Sequence, residues 1–479
     1  MKRIVCSVAM ALLAMACGEA EPEVAPLRVA PPSALPPSPS GMRFISPLPN
    51  GDWTLPAGDY ANTRYSPLSQ INAGNVRNLK VATTLSTGIP RGHEGNPLVV
   101  NNTMYVVTPF PNILMAVDLT KPGGALKWKY APQPNPHAAG VACCDVVNRG
   151  ASYADGKIIY ATLDNDVIAV DAESGQEVWR TSVGDINEGQ TVTMAPLAVK
   201  DLVLVGNSGA ELGVRGKLTA LDVGTGALRW VAYSTGSDEE CLIGPDFQPF
   251  YPKDQGKDLG IKTWPPDQWK LGGSTVWGWI SYDPETNLIY YGTANPGVWN
   301  PDLRPGENKW SCSIIARDAD TGMAKWAYQI VPHDMWDYDE IMENILIDMP
   351  WKGQMRKLLI HPARTGFVLV MDRVTGELLS AEPYGFVNWA TGFDLKTGKA
   401  QIVPSKMTGF GKTVVIGRSR RPGYRSMTIG HEVAEPGWRW SEHVKPIVGT
   451  EWCEFAHAMY VLSGRMRVVM RDGETHDIG

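Results

Sequence analysis

The chain has 479 residues, of which 20% are charged, and its net charge at pH 7 is −6. This length can bury a large core and exceeds one ordinary domain. No basic cluster stands out, which argues against a nucleic-acid partner. The 49 Gly, 37 Pro and 17 Trp residues, with few long helical patterns, predict many short strands joined by turns.

Residues 1–17 have the features of an export signal. Two basic residues precede an apolar run that is too short to span a bilayer comfortably. Two processing routes stay open, namely cleavage near Ala16 or lipidation of Cys17, where Ala14 replaces the usual Leu of a lipobox. Residues 18–48 form a Pro-rich linker, which favours a lipid anchor at Cys17 because it would make a semi-rigid tether. By either route the mature chain leaves the cytoplasm.

A repeat of about 50 residues follows. Each unit contains the tripeptide apolar-x-Asp, followed a few residues later by a Gly and then by a Trp. Asp118 to Asp171 is 53 positions and Asp171 to Asp222 is 51. The next copy, at Asp318, follows a long insertion around residues 239–269. In each turn Gly supplies positive φ and Asp caps the backbone. The repeat predicts an all-β fold, a β-propeller with radially stacked blades, and a β-sandwich is the alternative.

Two further copies of the repeat, at Asp372 and Asp394, have no Trp at the expected place. Between the first and second strong copies, Cys143 and Cys144 are adjacent. A bond between neighbouring cysteines closes a small ring that strains the peptide, and such strain tends to mark function. The alternative is a pair of reduced thiols. For Cys241 the sequence leaves open whether the thiol is free or paired with the thiol of Cys312.

Together these motifs resemble the quinoprotein alcohol dehydrogenases that use pyrroloquinoline quinone (PQQ), the methanol and ethanol dehydrogenase family. The Asp–Gly–Trp unit is similar to their tryptophan-docking repeat, and Cys143–Gly150 is similar to their vicinal-disulfide segment. The resemblance covers about residues 51–412. It implies an incomplete propeller of the eight-bladed type at residues 49–412. The repeat also resembles that of outer-membrane assembly scaffold lipoproteins, so a cofactor-free scaffold lipoprotein is the competing function.

The resemblance implies a PQQ site. The Cys143–Cys144 disulfide would pack on one face of the quinone, and Trp277, preferred to Trp279, would pack on the other. Arg149 would pair with a PQQ carboxylate, which suits a guanidinium fork. The other implied cofactor contacts are Glu94, Thr193, Ser208, Gly209, Ala210, Arg364 and Asn388.

The stretch His333–Glu340 is rich in acids. In an extended segment Asp337 and Asp339 would point to the same side, about 7 Å apart, and would either face water or hold a cation. The resemblance implies that Asp337 is the catalytic carboxylate and Asp339 the extra ligand of lanthanide-using members. It also implies Glu211 and Asn295 as metal ligands. Three carboxylates in an all-oxygen set favour a trivalent lanthanide, and Ca²⁺ stays open.

The implied reaction is periplasmic oxidation of a small primary alcohol to an aldehyde. The metal would act as a Lewis acid on PQQ. Arg364 would stabilise developing negative charge, and Asp337 would remove the alcohol proton as general base. A cytochrome c would accept the electrons. The sequence does not identify the alcohol, and it leaves the oligomeric state open, a homodimer included.

The family pattern stops near Lys412, although family members continue through about two more blades. Residues 413–479 instead resemble part of a cupin, a small β-barrel, with a hairpin signal at Asp472-Gly473. His443 and His457 are candidate metal ligands, although the usual His-x-His pair is missing. The propeller and the cupin-like tail are both expected to be incomplete. A fusion or frameshift product would explain this, and a divergent protein whose tail replaces the missing blades is the alternative.

Overall fold

The computed structural model describes residues 41–45, 51–143, 145–409, 442, 466–469 and 475–478. The expected signal sequence, Cys17, most of the Pro-rich linker, Cys144, His443 and His457 lie outside these ranges. The chain divides into two units, Met1–Ser419 and Arg420–Gly479. In the described ranges no helix has the length and apolar character needed to cross a bilayer.

Antiparallel sheets of four consecutive strands follow one another along the first unit, and its described part contains five of them. We call these sheets blades one to five. In chain order their strands are β1 Leu98–Val100, β2 Thr103–Val107, β3 Leu114–Asp118, β4 Ala125–Tyr130, β5 Ala151–Ala154, β6 Lys157–Ala161, β7 Asp166–Asp171, β8 Glu177–Ser182, β9 Leu197–Val199, β10 Leu202–Gly206, β11 Lys217–Asp222, β12 Leu228–Tyr233, β13 Ile280–Asp283, β14 Leu288–Gly292, β15 Ser313–Asp318, β16 Ala324–Gln329, β17 Ile345–Trp351, β18 Gln354–Pro362, β19 Phe367–Asp372 and β20 Leu378–Pro383. A further two-stranded sheet consists of β21 Ala390–Asp394 and β22 Lys399–Ile402.

Helices are short and lie between the strands. The α-helices in the described ranges are α1 Ala138–Val141 and α2 Leu259–Lys262. The 3-10 helices are Val76–Asn78, Ile186–Glu188, Ala210–Leu212, Pro252–Asp254, Gln268–Leu271, Pro301–Leu303 and Pro404–Lys406.

Neighbouring blades meet through their first strands, since β1 approaches β5, β5 approaches β9, and β13 approaches β17. The first strand of each blade is therefore innermost, as in a propeller. Apolar side chains fill the space between blades, as where Ile159, Leu204 and Ile289 of blades two, three and four join one buried cluster. The predicted all-β propeller is confirmed.

In four blades a Trp on the fourth strand docks on the turn of the following blade. Trp128 Nε1 donates to the Ala172 carbonyl at 3.2 Å, and Trp326 Nε1 donates to the Arg373 carbonyl at 3.0 Å. The equivalent pairs are Trp179 with Val223 and Trp230 with Ala319. Each turn needs glycine at this point, because a Cβ at Gly376 would lie 2.8 Å from the Trp326 ring. The predicted tryptophan-docking repeat thus holds each of these blades to the next.

Blade five has no Trp at this position, and the insertion around residues 239–269 supplies a substitute. A Cβ at Gly398 in the β21–β22 turn would lie 2.6 Å from the ring of Tyr251. The Tyr251 hydroxyl donates to the Leu395 carbonyl at 3.0 Å. Leu395 follows Asp394 as Ala172 follows Asp171, so the phenol contacts the position that an indole contacts in the other turns.

The predicted site residues within the described ranges lie at one end of the propeller. Adjacent strands are antiparallel, so the loops between second and third strands lie at the same end as the connections from blade to blade. Every predicted site residue in the described ranges lies in one of these loops or just before β1. We call this end the loop face.

The described strands of the second unit are β23 Met466–Val469 and β24 Thr475–Ile478, which pair antiparallel. This pairing fits the hairpin predicted for this stretch, whose turn residues Asp472 and Gly473 lie outside the described residues. The cupin resemblance of residues 413–479 stays a prediction.

Candidate active site

Arg364 lies between two predicted acids. Its guanidinium contacts the carboxylate of Asp339, and its Nη2 lies 3.3 Å from Asp337 Oδ2. Arg364 is in the short turn between β18 and β19, whereas the two acids are in the connection between β16 and β17. Asp339 is buried, while the Asp337 side chain is 47% exposed. The loop face thus brings together three of the five side chains that the resemblance linked to catalysis and metal binding.

Both acids have raised pKa values. The pKa of Asp339 is raised to about 7, chiefly by burial and next by the charge of Asp337, while the charge of Arg364 acts in the opposite direction. Burial is also the main cause that raises the pKa of Asp337, with Arg364 lowering it and the charge of Glu211 raising it. Two adjacent acids that both resist ionisation form a place where an added cation is electrostatically favoured.

The segment that carries these acids is a turn and not the extended segment considered from the sequence. The backbone of Asp337 has a φ of 66°. The buried carboxylate of Asp334 accepts hydrogen bonds from the backbone N–H groups of Trp336 at 3.2 Å, Asp337 at 3.1 Å and Tyr338 at 3.3 Å. Because one carboxylate holds three amides, the turn has a defined shape, and Asp337 and Asp339 converge on Arg364.

The other two predicted ligands approach from neighbouring blades. The buried Asn295, in the β14–β15 loop, donates from its backbone N–H to Asp339 Oδ1 at 2.9 Å. Glu211 is exposed in the 3-10 helix Ala210–Leu212 of the β10–β11 loop. Among the described residues, no group of three or more His, Cys, Asp or Glu side chains is gathered closely enough to hold a metal ion. The predicted ligands are thus neighbours without forming a closed cage.

Predicted cofactor contacts also form a connected group. Arg149 pairs with Glu94 at 3.0 Å, and its guanidinium carbon lies 4.9 Å from the ring centre of Trp277. The Arg149 backbone N–H donates to the Thr193 carbonyl at 3.1 Å, and Thr193 Oγ1 lies 2.9 Å from Ser208 Oγ. Connections on either side of blade two and the β10–β11 loop therefore meet on the loop face.

Trp277 and Trp279 have different neighbours. Trp277 lies beside Arg149, whereas Trp279 lies under Arg64, whose guanidinium carbon is 4.3 Å from the ring centre. Arg64 also pairs with Glu343 at 2.7 Å. Of the two indoles, Trp277 is therefore the one next to the other predicted cofactor contacts.

The β10–β11 loop requires a glycine. Gly209 has a φ of +116°, and a Cβ there would lie 2.3 Å from the Gly189 carbonyl oxygen. Ala210 follows at the start of the 3-10 helix and is buried. Asn388 is half-buried in the β20–β21 connection.

The three cysteines within the described residues are of two kinds. Cys143 is half-buried and disulfide-bonded, and its neighbour Cys144 lies outside the described residues. Cys241 and Cys312 are buried and free, so the pairing left open by the sequence is not formed. Burial raises the pKa of Cys241 to about 12, so its thiol stays protonated and unreactive near neutral pH.

Three polar residues of this region were not singled out from the sequence. Asp334 organises the turn, and the fully buried Glu340 and His361 lie 3.0 Å apart between Oε2 and Nε2. Asp334 and Glu340 are within the acidic stretch, and His361 is within the motif that ends at Arg364. The motifs that contain these residues can be recognised in the sequence, but the contact between Glu340 and His361 depends on the packing of two blades.

Comparison with known proteins agrees with this geometry. Residues 53–381 match the family model described as PQQ: glucose/ethanol/alcohol dehydrogenase, beta-propeller domain. The lanthanide-dependent methanol dehydrogenase of Methylacidiphilum fumariolicum (strain SolV) is 52% identical over 359 residues, which cover 75% of this chain. Methanol dehydrogenase [cytochrome c] subunit 1 of Paracoccus denitrificans is 49% identical over 355 residues, covering 72% of this chain. The solved europium-containing methanol dehydrogenase superposes with a TM-score of 0.74 at 52% identity over 76% of this chain.

The chain matches only part of each of these proteins. It covers 59% of the Methylacidiphilum protein, 56% of the Paracoccus protein and 63% of the europium-containing chain. The family model nevertheless matches well over half of the chain and includes all five complete blades except the end of β20. The chain therefore belongs to the PQQ-dependent glucose/ethanol/alcohol dehydrogenase β-propeller family.

Proposed function

We propose that this protein oxidises a small primary alcohol to an aldehyde in the periplasm, with PQQ and a lanthanide ion bound at the loop face. The observation that carries the proposal is the contact of Arg364 with both Asp337 and Asp339 in a chain of the PQQ family. A relative that is 52% identical is named a lanthanide-dependent methanol dehydrogenase, which supports methanol as the first alcohol to test.

The residues at this place fit a hard cation in donor type and charge. Glu211, Asp337 and Asp339 would supply carboxylate oxygens, and Asn295 would supply an amide oxygen. The pKa values of Asp337 and Asp339 are raised without a metal ion. A cation bound nearby would lower them, because it favours ionised carboxylates. Three carboxylates favour a trivalent ion over Ca²⁺, and the gathering of these ligands around the ion is part of the proposal.

Other residues would hold the cofactor. Arg149, already paired with Glu94 and stacked near Trp277, would bind a PQQ carboxylate. Trp277 would cover one face of the ring, and the disulfide of Cys143 would cover the other. Thr193 and Ser208 would donate hydroxyl hydrogen bonds to PQQ, and Gly209, Ala210 and Asn388 would complete the contacts. When bound, PQQ supplies a quinone that accepts two electrons, and the metal ion polarises it as a Lewis acid.

Two side chains of this protein would accept the proton of the alcohol and stabilise the negative charge that develops during the reaction. A carboxylate oxygen of Asp337 would accept the proton as the O–H bond of the alcohol breaks. Asp337 is half-exposed and can therefore meet a substrate that enters from the loop face. Arg364 lies next to it and would stabilise negative charge that develops beside the guanidinium. Electrons would leave to a cytochrome c, as the name of the Paracoccus relative suggests.

The direct test is turnover. The full chain, loaded with PQQ and La³⁺, should reduce an added cytochrome c or dye when methanol or another small primary alcohol is supplied. Asp337→Asn should lower kcat by about a hundredfold or more, since a general base contributes that much. A matched control is Asp246→Asn, an exposed acid whose partner Lys325 lies at the start of β16, opposite the loop face, and it should leave turnover unchanged. Loaded, soluble protein that oxidises none of these alcohols would refute the proposal.

A further inference from the structure

A second layer of polar contacts lies beneath the candidate site. Glu340 directly follows Asp339 in the chain, and His361 lies three positions before Arg364. Both side chains are fully buried, and His361 Nε2 lies 3.0 Å from Glu340 Oε2. The backbone amide of Arg364 also interacts with the Glu340 carboxylate. This pair therefore connects the segment of the two acids with the turn of the arginine.

The backbone at Glu340 is held tightly by blade four. Its N–H donates to the Thr293 carbonyl at 3.2 Å, two positions before the predicted ligand Asn295. A Cβ at Gly292 would lie 1.4 Å from the Glu340 carbonyl oxygen, so only glycine lets the two segments approach this closely. Blade four thus fixes the main chain of Glu340, while its side chain reaches His361 at the end of β18 in blade five.

We propose that the Glu340–His361 pair is a positioning device that sets the distance of Asp339 from Arg364 and thereby the affinity of the site for a lanthanide ion. Neither residue would touch metal, cofactor or substrate. This inference rests on the proposed function, because it assumes that Asp339 binds the ion.

The physical reason is that a buried polar pair has few alternative arrangements. If His361 loses its ring, the Glu340 carboxylate is left buried without that partner, and it will turn or take up water. Asp339 is the adjacent residue and is itself buried, so a shift at Glu340 moves a predicted ligand directly. Residues that orient metal ligands without touching the metal typically change affinity by about 10- to 100-fold when replaced.

The test measures binding of Tb³⁺ alone to the full chain, through emission sensitised by tryptophan. His361→Ala should weaken Tb³⁺ binding by about tenfold or more. His361→Phe fills the same space without a donor and should show the same loss, which covers the case in which the Ala variant fails to fold. His361→Gln keeps an N–H that can donate to Glu340 and should recover most of the affinity.

The structure offers a matched control. Arg373 and Asp283 form another fully buried ion pair between blades five and four, with Nε and Oδ2 2.8 Å apart, at the opposite end of the strands. Arg373→Met breaks this pair and should destabilise the fold, yet it should change the Tb³⁺ affinity by less than about twofold, since distant sites act independently.

The outcomes separate the two proposals. Positioning is supported if Tb³⁺ affinity falls in His361→Ala and His361→Phe, recovers in His361→Gln and stays unchanged in Arg373→Met. Equal losses in His361→Phe and Arg373→Met would mean that general stability is responsible, and this would overturn the positioning proposal. Unchanged binding in His361→Phe would overturn it as well. If the original chain binds no Tb³⁺, the metal site of the proposed function fails first, and this inference fails with it.

Discussion

The ring of Tyr251 lies against Gly398, and its hydroxyl donates to the Leu395 carbonyl at 3.0 Å. The two residues are far apart in the chain, since one is in the insertion before blade four and the other in the β21–β22 turn. Tyr251 thus replaces the tryptophan that blade five lacks. The insertion is therefore a structural element that holds the last described turn of the propeller.

Replacement of Gly398 should destabilise the fold. Gly398→Ala adds a Cβ that would lie 2.6 Å from the Tyr251 ring and forces a side chain into a φ of +67°, so we expect a loss of about 2 kcal/mol in the free energy of unfolding. Gly385→Ala is the control, because nothing lies within 4 Å of the added Cβ. Chemical unfolding of both variants checks this, and equal midpoints would contradict it.

The hydroxyl of Tyr251 should contribute separately from the ring. Tyr251→Phe removes the hydrogen bond to Leu395 and the bond that the hydroxyl accepts from the Leu378 N–H at 3.0 Å. We expect a loss of about 1 to 2 kcal/mol in the free energy of unfolding. A variant that unfolds at the same denaturant concentration as the original chain would show that the ring alone matters.

The sequence predicted the repeating part of the fold because each unit carries its own signal. Asp171, Gly175 and Trp179 stand at fixed spacings, and the contacts they make are set by those spacings. The role of Tyr251 could not be predicted in this way, because its partner Gly398 belongs to a distant unit and the insertion has no repeat pattern. The spacing of residues within one repeat unit predicts its turn, whereas contacts between distant units depend on how the blades pack.

The candidate site shows the same division. Sequence motifs predict Asp337, Asp339 and Arg364 as site residues, and the structure places Arg364 in contact with both acids. In an extended segment the two acids would point to the same side, whereas the carboxylate of Asp334 folds their loop into a turn. The Glu340–His361 contact has no signal in the sequence, since it forms only when blades four and five meet.

Arg149 should matter for cofactor binding, and a comparable arginine provides the control. Arg149→Met removes a charge that would bind a PQQ carboxylate, so the affinity for PQQ should fall by about 10- to 100-fold. Arg64→Met removes a similar guanidinium that pairs with Glu343 and lies over Trp279, and it should leave PQQ affinity unchanged. Fluorescence titration with PQQ in the presence of La³⁺ measures both, and equal effects would argue against the assigned role.

Asp339 should favour a trivalent ion. Asp339→Ala removes one negative charge, so La³⁺ affinity should fall by about tenfold more than Ca²⁺ affinity, because Coulomb attraction scales with the charge of the ion. Calorimetric titration of each ion into the full chain mixed with an equimolar amount of PQQ measures the difference. An equal loss for both ions would remove the case for a lanthanide preference.

A buried lysine should make stability depend on pH. Burial lowers the pKa of Lys253 to about 8, against the opposing charge of Asp254, from 10.5 in the unfolded chain. Between pH 8 and 10.5 the unfolded state binds more protons, so stability should rise with pH by at most about 1.4 kcal/mol per unit relative to Lys253→Met. Unfolding at pH 7.5 and pH 10 measures this, with the exposed Lys262→Met as control.

The most direct test of the whole account is PQQ binding by the full chain, followed by its absorbance, with La³⁺, with Ca²⁺ and without metal. We expect stoichiometric binding that requires a metal ion and is tightest with La³⁺. Equal binding with both ions would keep the enzyme class and remove the lanthanide preference. A soluble, folded chain that binds no PQQ with either ion would contradict the account and favour a propeller that acts without a cofactor.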